Sequence, residues 1–133
     1  MSRGMQELVA VAKAFADPTR VRVLAALQNG ELCVCELCDA LRIPQSTLST
    51  HLQVIRDSGL VQTRKEGKWI YYAMDPGKVS LANSLFQFFA HALARDKTIS
   101  SDKARLRERL NCRQGGECCV GFTNPPKKKA SPE

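Results

Sequence analysis

No apolar run in the 133-residue sequence approaches the roughly 18 residues that a membrane-crossing helix needs. The opening stretch Met1-Ser2-Arg3-Gly4-Met5-Gln6-Glu7 also lacks the apolar segment and small-residue cleavage site of a secretion signal. A cytoplasmic protein with no membrane partner is therefore expected. In that reducing compartment the six cysteines point to metal binding or redox chemistry before structural disulfides. There is no internal repeat. Charged residues at 25% argue against wholesale disorder, and hydrophobic residues at 44% suffice for one core of ordinary domain size.

The net charge of +7 suggests a polyanionic partner, but its distribution tempers the inference. Residues 42–78 hold six Lys/Arg against three Asp/Glu, whereas residues 95–129 hold ten against four. Most of the excess is C-terminal, so charge alone does not locate a nucleic-acid site.

Apolar spacing gives a first helix over Gln6–Ala16. Asp17-Pro18 reads as an N-cap followed by proline at the first helical position of a second helix, which runs to about Leu27. A short third helix covers Val34 to Leu41 and breaks at Ile43-Pro44, because a residue before proline avoids helical geometry. A fourth runs from Gln45 to about Ser58. Leu60–Lys65 and Lys68–Met74 are rich in β-branched and aromatic residues around Glu66-Gly67, which predicts a β-hairpin. Val79 to about Ala94 is helical again.

This order predicts a mainly α fold with a β-hairpin wing: a winged helix-turn-helix whose fourth helix enters the DNA major groove. Three regions are expected. Residues 1–95 form the DNA-binding and dimerisation domain, residues 96–122 a basic, cysteine-containing extension, and residues 123–133 a disordered tail.

Gln45, Ser46, Thr47, Ser49, Thr50 and His51 offer short polar side chains on the fourth helix, opposite apolar Leu48, Leu52 and Ile55. Gln can read adenine, and Ser or Thr can reach bases or phosphates of double-stranded operator DNA. Ser/Thr-rich helix starts also serve as ordinary caps. Arg64, Lys65 and Lys68 around the wing suit phosphate contacts, although any exposed hairpin carries charge. Such modules pair on palindromic sites. Leu8 and Phe15 on the first helix and Leu81, Leu85, Phe88 and Phe89 on the last make apolar stripes. Part of each is expected to pack at home and part to meet a twin subunit in a homodimer.

Cys33, Cys35 and Cys38 place three thiols within six residues. On a helix Cys35 and Cys38 lie about 60° apart, while Cys33 would lie about 200° from Cys35 unless it precedes the helix or the helix start unwinds. Three thiolates suit pyramidal trivalent arsenic or antimony, whereas structural zinc asks for four ligands. A disulfide between neighbouring thiols is the redox alternative, and three small buried residues filling a core is the bland one.

The segment Glu31-Leu32-Cys33-Val34-Cys35-Glu36-Leu37-Cys38-Asp39 resembles the metalloid-binding motif of the ArsR/SmtB family, in its arsenite-responsive ArsR branch. The likeness continues through Gln45-Ser46-Thr47-Leu48-Ser49-Thr50-His51-Leu52, Gly59-Leu60-Val61, Gly67-Lys68-Trp69-Ile70-Tyr71-Tyr72 and Asp17-Pro18-Thr19-Arg20, covering residues 6–94. It implies a repressor that leaves its operator when arsenite or antimonite binds Cys33, Cys35 and Cys38. Pro44 departs from the pattern, since many relatives cap the recognition helix with Ser or Thr there. The last apolar helix offers only His91. That does not match the paired Asp/His and His/Glu zinc site of other branches, so zinc is disfavoured.

Cys112, Cys118 and Cys119 form a second group, with Gly115-Gly116 allowing the loop to fold back. They suggest a second metalloid site, a zinc or disulfide role, completion of the first site, or a mobile thiol lure. Arg105, Arg107 and Arg109 before them read as a solvated helix face. A regulator sensing another soft metal or an oxidant is the rival within the same class. A small thiol oxidoreductase is the rival from another class. No predicted strand precedes the cysteines and no general base lies nearby, so an enzyme is not expected.

Overall fold

The computed structural model describes residues 2–113, and its helices begin where side chains can cap them. Ser2 Oγ accepts from Met5 N–H to open α1 (Arg3–Ala14). Asp17 accepts from Thr19 and Arg20 N–H to open α2 (Pro18–Leu27), with Pro18 where no amide is needed. β1 (Leu32–Cys33) leads directly into α3 (Val34–Leu41). Arg42 ends α3 in the left-handed conformation at φ 56°. α4 (Gln45–Asp57) then starts at the predicted residue, with Pro44 as an N-cap that makes no side-chain hydrogen bond.

β2 (Val61–Glu66) and β3 (Trp69–Met74) form the hairpin. Its loop is Gly67-Lys68, one residue later than read from the sequence, since Glu66 pairs with Trp69. Gly67 supplies the φ of 59° that the tight loop needs. The long last apolar helix is interrupted at Phe89 into α5 (Val79–Phe88) and α6 (Ala90–Ala94). α7 (Lys97–Leu110) follows, capped by Asp96 Oδ1 accepting from Ile99 N–H.

The sheet order is β1-β3-β2, all antiparallel. β1 is a strand the sequence does not signal. Leu32 pairs with Tyr72 and Cys33 with Tyr71, so the wing holds the entry to α3. The main core joins Val23, Leu24 and Leu27 of α2, Leu37 and Leu41 of α3 and Leu48, Leu52 and Ile55 of α4, all buried. A smaller cluster holds Cys33, Cys35 and Tyr71, flanked by Trp69. This is a winged helix-turn-helix: α3, a three-residue turn, α4, then the wing. Among the described residues no helix is long and apolar enough to cross a membrane.

α7 packs along α3, burying Ile99, Asp102, Leu106 and Arg109. Arg107 is exposed, but Arg105 is half-buried and Arg109 buried, which corrects the reading of these three as a solvated face. The stripe that matters is spaced by four residues, not two.

Candidate functional site

Cys33 stands just before the helix, as the N-cap of α3 with extended backbone (φ −85°, ψ 163°). That frees its side chain from the helical azimuth that would turn it away from Cys35. The two sulfurs lie 2.7 Å apart and both residues are buried. Cys38 belongs instead to the main core. Burial, then the charges of Asp39 and Cys33, push its thiol up to about 12. The structure therefore brings two of the three predicted thiols together and keeps the third apart. Among the described residues no group of three or more His, Cys, Asp or Glu side chains is drawn together to hold a metal ion. Cys112 is exposed, beyond the end of α7, while Cys118 and Cys119 lie outside the described residues.

Two arginines of α7, Arg105 and Arg109, and Arg113 just past its end reach α3 and the segment before it. Side chains four apart share one helix face. Arg105 Nε donates to the Ala40 carbonyl at 2.6 Å, covering an acceptor in the last turn of α3. Arg109 Nε donates to Asp39 Oδ2 at 2.7 Å, and its Nη2 lies 3.8 Å from Cys35 Sγ. Arg113 donates to both oxygens of Glu36, at 2.6 and 2.7 Å, and to the Glu31 carbonyl at 2.7 Å. Glu36 is fully buried and also accepts from Cys33 N–H at 2.9 Å. Burial pushes its carboxyl up. The hydrogen bonds from Arg113 and Cys33 and the charges of Arg113 and Arg109 outweigh that and hold it below the ordinary glutamate value. Asp102 binds Arg22 through two oxygens, at 2.7 and 2.8 Å, and Arg22 in turn donates to the Leu41 carbonyl.

The thiol segment is also tied to the wing. Arg64 forms a two-pronged pair with Glu31, at 2.7 and 2.8 Å, a further bond to Glu66, and lies 4.4 Å over the Tyr71 ring. Of the wing cations read as phosphate contacts, Arg64 is thus engaged within the protein. Lys65 is exposed, and exposed Lys68 sits 5.0 Å over Trp69.

On α4, Gln45, Ser46, Thr47, Ser49 and Thr50 are all exposed, while Leu48, Leu52 and Ile55 are buried. His51 is half-buried: its Nδ1 lies 3.2 Å from Arg20 Nη1 and 3.7 Å from Asp17 Oδ2, which ties the α4 face to the cap of α2. On the apolar stripes, Phe15 packs edge-on to Phe86 at 5.9 Å, and Leu85 is half-buried. Leu8, Leu81, Phe88 and Phe89 stay exposed, Leu8 by 67% and Phe88 by 81%, together with Met5 and Val9.

Sequence reasoning missed Glu31, Glu36, Asp39, Asp102, Arg109 and Arg113 as parts of this site. The four-residue spacing of Arg105, Arg109 and Arg113 was the one available signal.

The model of the "Bacterial regulatory protein, arsR family" matches residues 17–63. The arsenic resistance transcriptional regulator ArsR1 of Pseudomonas putida is 36% identical over 99 residues, covering 74% of this chain and 76% of that protein. Among solved structures, HlyU from Vibrio cholerae superposes with a TM-score of 0.61 at 33% identity, over 68% of this chain and 99% of that one. The homodimeric winged helix-turn-helix DNA-binding domain of a possible ArsR-family transcriptional regulator from Mycobacterium bovis gives a TM-score of 0.59 at 31% identity, over 65% of this chain and 81% of that one.

Proposed function

Since this chain belongs to the arsR family of bacterial regulatory proteins, we propose that it is a homodimeric transcriptional repressor that releases operator DNA when trivalent arsenic or antimony binds its α3 thiols. The observation that carries this reading is the buried Cys33–Cys35 sulfur pair at the start of α3, wedged between the wing and the helix preceding α4.

The DNA side follows from shape. Gln45, Ser46, Thr47, Ser49 and Thr50 present the polar face of α4 to base edges and phosphates, and Lys65 and Lys68 extend the contact to the backbone. Exposed Leu8, Leu81, Phe88 and Phe89 are the faces a second copy covers. Pairing sets the two α4 helices at the groove spacing of a palindromic site.

The effector side follows from donor chemistry. Each thiol can replace one hydroxide on a trivalent arsenic, and soft sulfur favours that exchange. Cys33 and Cys35 are already adjacent. Cys38 can join them only by leaving the main core, which distorts α3. Cys33 is paired to Tyr71 of the wing, and α3 packs on α4, so both DNA-contacting elements feel that distortion. A ~100-fold loss of DNA affinity requires ~2.7 kcal/mol of coupling between the two sites. Zinc would want a fourth ligand.

The test is a titration of arsenite into the complex of the protein with duplex DNA from upstream of its own gene. Release is expected for the wild type and not for Cys35→Ser, which should still bind the DNA. Arsenite-insensitive binding by the wild type overturns the reading.

The 2.7 Å sulfur contact also favours a second reading, oxidant sensing. The two thiols and one hydroperoxide would give a disulfide, water and an alcohol: the S–S bond forms, the O–O bond breaks and takes two electrons, and each of its oxygens takes one thiol proton. Release by peroxide without arsenite, reversed by a dithiol reductant, would select it.

A further inference from the structure

We propose that Cys112 is the entry thiol of the effector site, joining Cys33 and Cys35 in a capture site that spans α3 and the end of α7 before Cys38 leaves the core. This rests on the proposed function and adds to it a named ligand and an order of events.

Cys33 and Cys35 are 1% and 3% exposed, so a solute cannot meet them first. Cys112 is exposed. Its N–H donates to the Arg109 carbonyl at 3.0 Å and Arg113 N–H to Leu110 at 3.1 Å, so the chain past α7 continues as a tight i→i−3 turn. In such a turn residues three apart stack one above the other. Cys112 thus sits directly beyond Arg109, the residue whose guanidinium lies 3.8 Å from Cys35 Sγ. On its other side Arg113 is fastened to Glu36 and to the Glu31 carbonyl, which flank the thiol pair in sequence. The turn carrying Cys112 is therefore held by Arg109 three residues before it, beside Cys35, and by Arg113 directly after it, on Glu36 and Glu31.

The rival third sulfur is costlier to bring in. No three ligating groups are already gathered among the described residues, so any third thiol must move. Cys38 lies inside α3 and within the main core, and its release breaks helix hydrogen bonds and apolar packing. Cys112 lies past the last residue of α7, where only a terminal turn has to adjust.

The chemistry balances without an oxidant. Three S–As bonds form, three As–O bonds of arsenous acid break, and each thiol proton leaves with a hydroxide as water. Arsenic stays trivalent throughout.

X-ray absorption of the full-length protein loaded with arsenite reads the number of sulfurs on arsenic. Cys38→Ala, which keeps the core apolar, should retain three As–S bonds. Cys38→Ala with Cys112→Ser should fall to two sulfurs and one oxygen. Cys38→Ala with Cys118→Ser and Cys119→Ser should keep three. Loss of the third sulfur in Cys38→Ala alone, or its loss only when Cys118 and Cys119 are replaced, overturns the proposal. Wild-type protein that holds no arsenic would instead overturn the proposed function. Circular dichroism of each variant separates loss of a ligand from loss of the fold.

Discussion

Arg109 on α7 places its Nε 2.7 Å from Asp39 Oδ2 on α3, with each side chain only 5% exposed. This buried pair joins α7 to the helix that carries two of the three clustered thiols.

Removing one partner should be far worse than removing both. Arg109→Leu strands a buried carboxylate, which typically costs about 3–5 kcal/mol, whereas an apolar pair in the same space can be near neutral. Urea unfolding of Arg109→Leu, Asp39→Leu and the double variant checks this. A double variant as unstable as the sum of the singles would contradict it.

Glu36 predicts an acid-sensitive segment. Its carboxyl sits below the ordinary glutamate value because Arg113, Cys33 N–H and the charge of Arg109 overcome the opposing effect of burial. A lowered folded-state value means its contribution is present above the unfolded-state value and is lost as pH falls through the folded one. Wild-type stability should therefore drop in acid more steeply than that of Glu36→Gln. Parallel urea midpoints from neutral to strongly acidic pH would refute the assignment.

Cys38 should resist modification. Buried and with its thiol pushed up to about 12, it carries almost no thiolate near neutral pH. Iodoacetamide followed by peptide mass spectrometry at mildly alkaline pH should leave Cys38 unmodified until denaturant is added. Labelling of Cys38 in the native protein at the rate of Cys112 would count against its place in the core.

The α4 and wing residues should separate in kind. Gln45→Ala is expected to lower operator affinity by about 1–3 kcal/mol and to relax sequence preference at one base pair. Lys65→Ala and Lys68→Ala should weaken all sequences alike and reduce the salt slope by about one each. Fluorescence anisotropy with operator and scrambled duplexes at several salt concentrations distinguishes the two classes.

Phe88→Asp should give a folded monomer, since its ring is 81% exposed and the core does not need it. Sedimentation analysis should show half the wild-type mass, with unchanged helix content and loss of tight operator binding. A dimer that survives both Phe88→Asp and Leu8→Glu would move the interface elsewhere.

Local chemistry made much of the molecule legible in the sequence. Asp17-Pro18 marked the start of α2, the Pro44 break separated α3 from α4, and β-branched and aromatic residues around Glu66-Gly67 marked the wing, because caps, proline and glycine act on their immediate neighbours. The spacing of Cys33, Cys35 and Cys38 was likewise visible there, with metalloid binding, a disulfide and core filling all left open. The tertiary structure decided what depends on distant partners. β1 is two residues long and exists only because Tyr71 and Tyr72 lie opposite it. Cys33 meets Cys35 because it precedes the helix with extended backbone, while Cys38, within the helix, packs in the main core. Arg105, Arg109 and Arg113 become a clamp only when α7 lies along α3, since a charged stripe carries no mark of whether water or a buried carboxylate will face it.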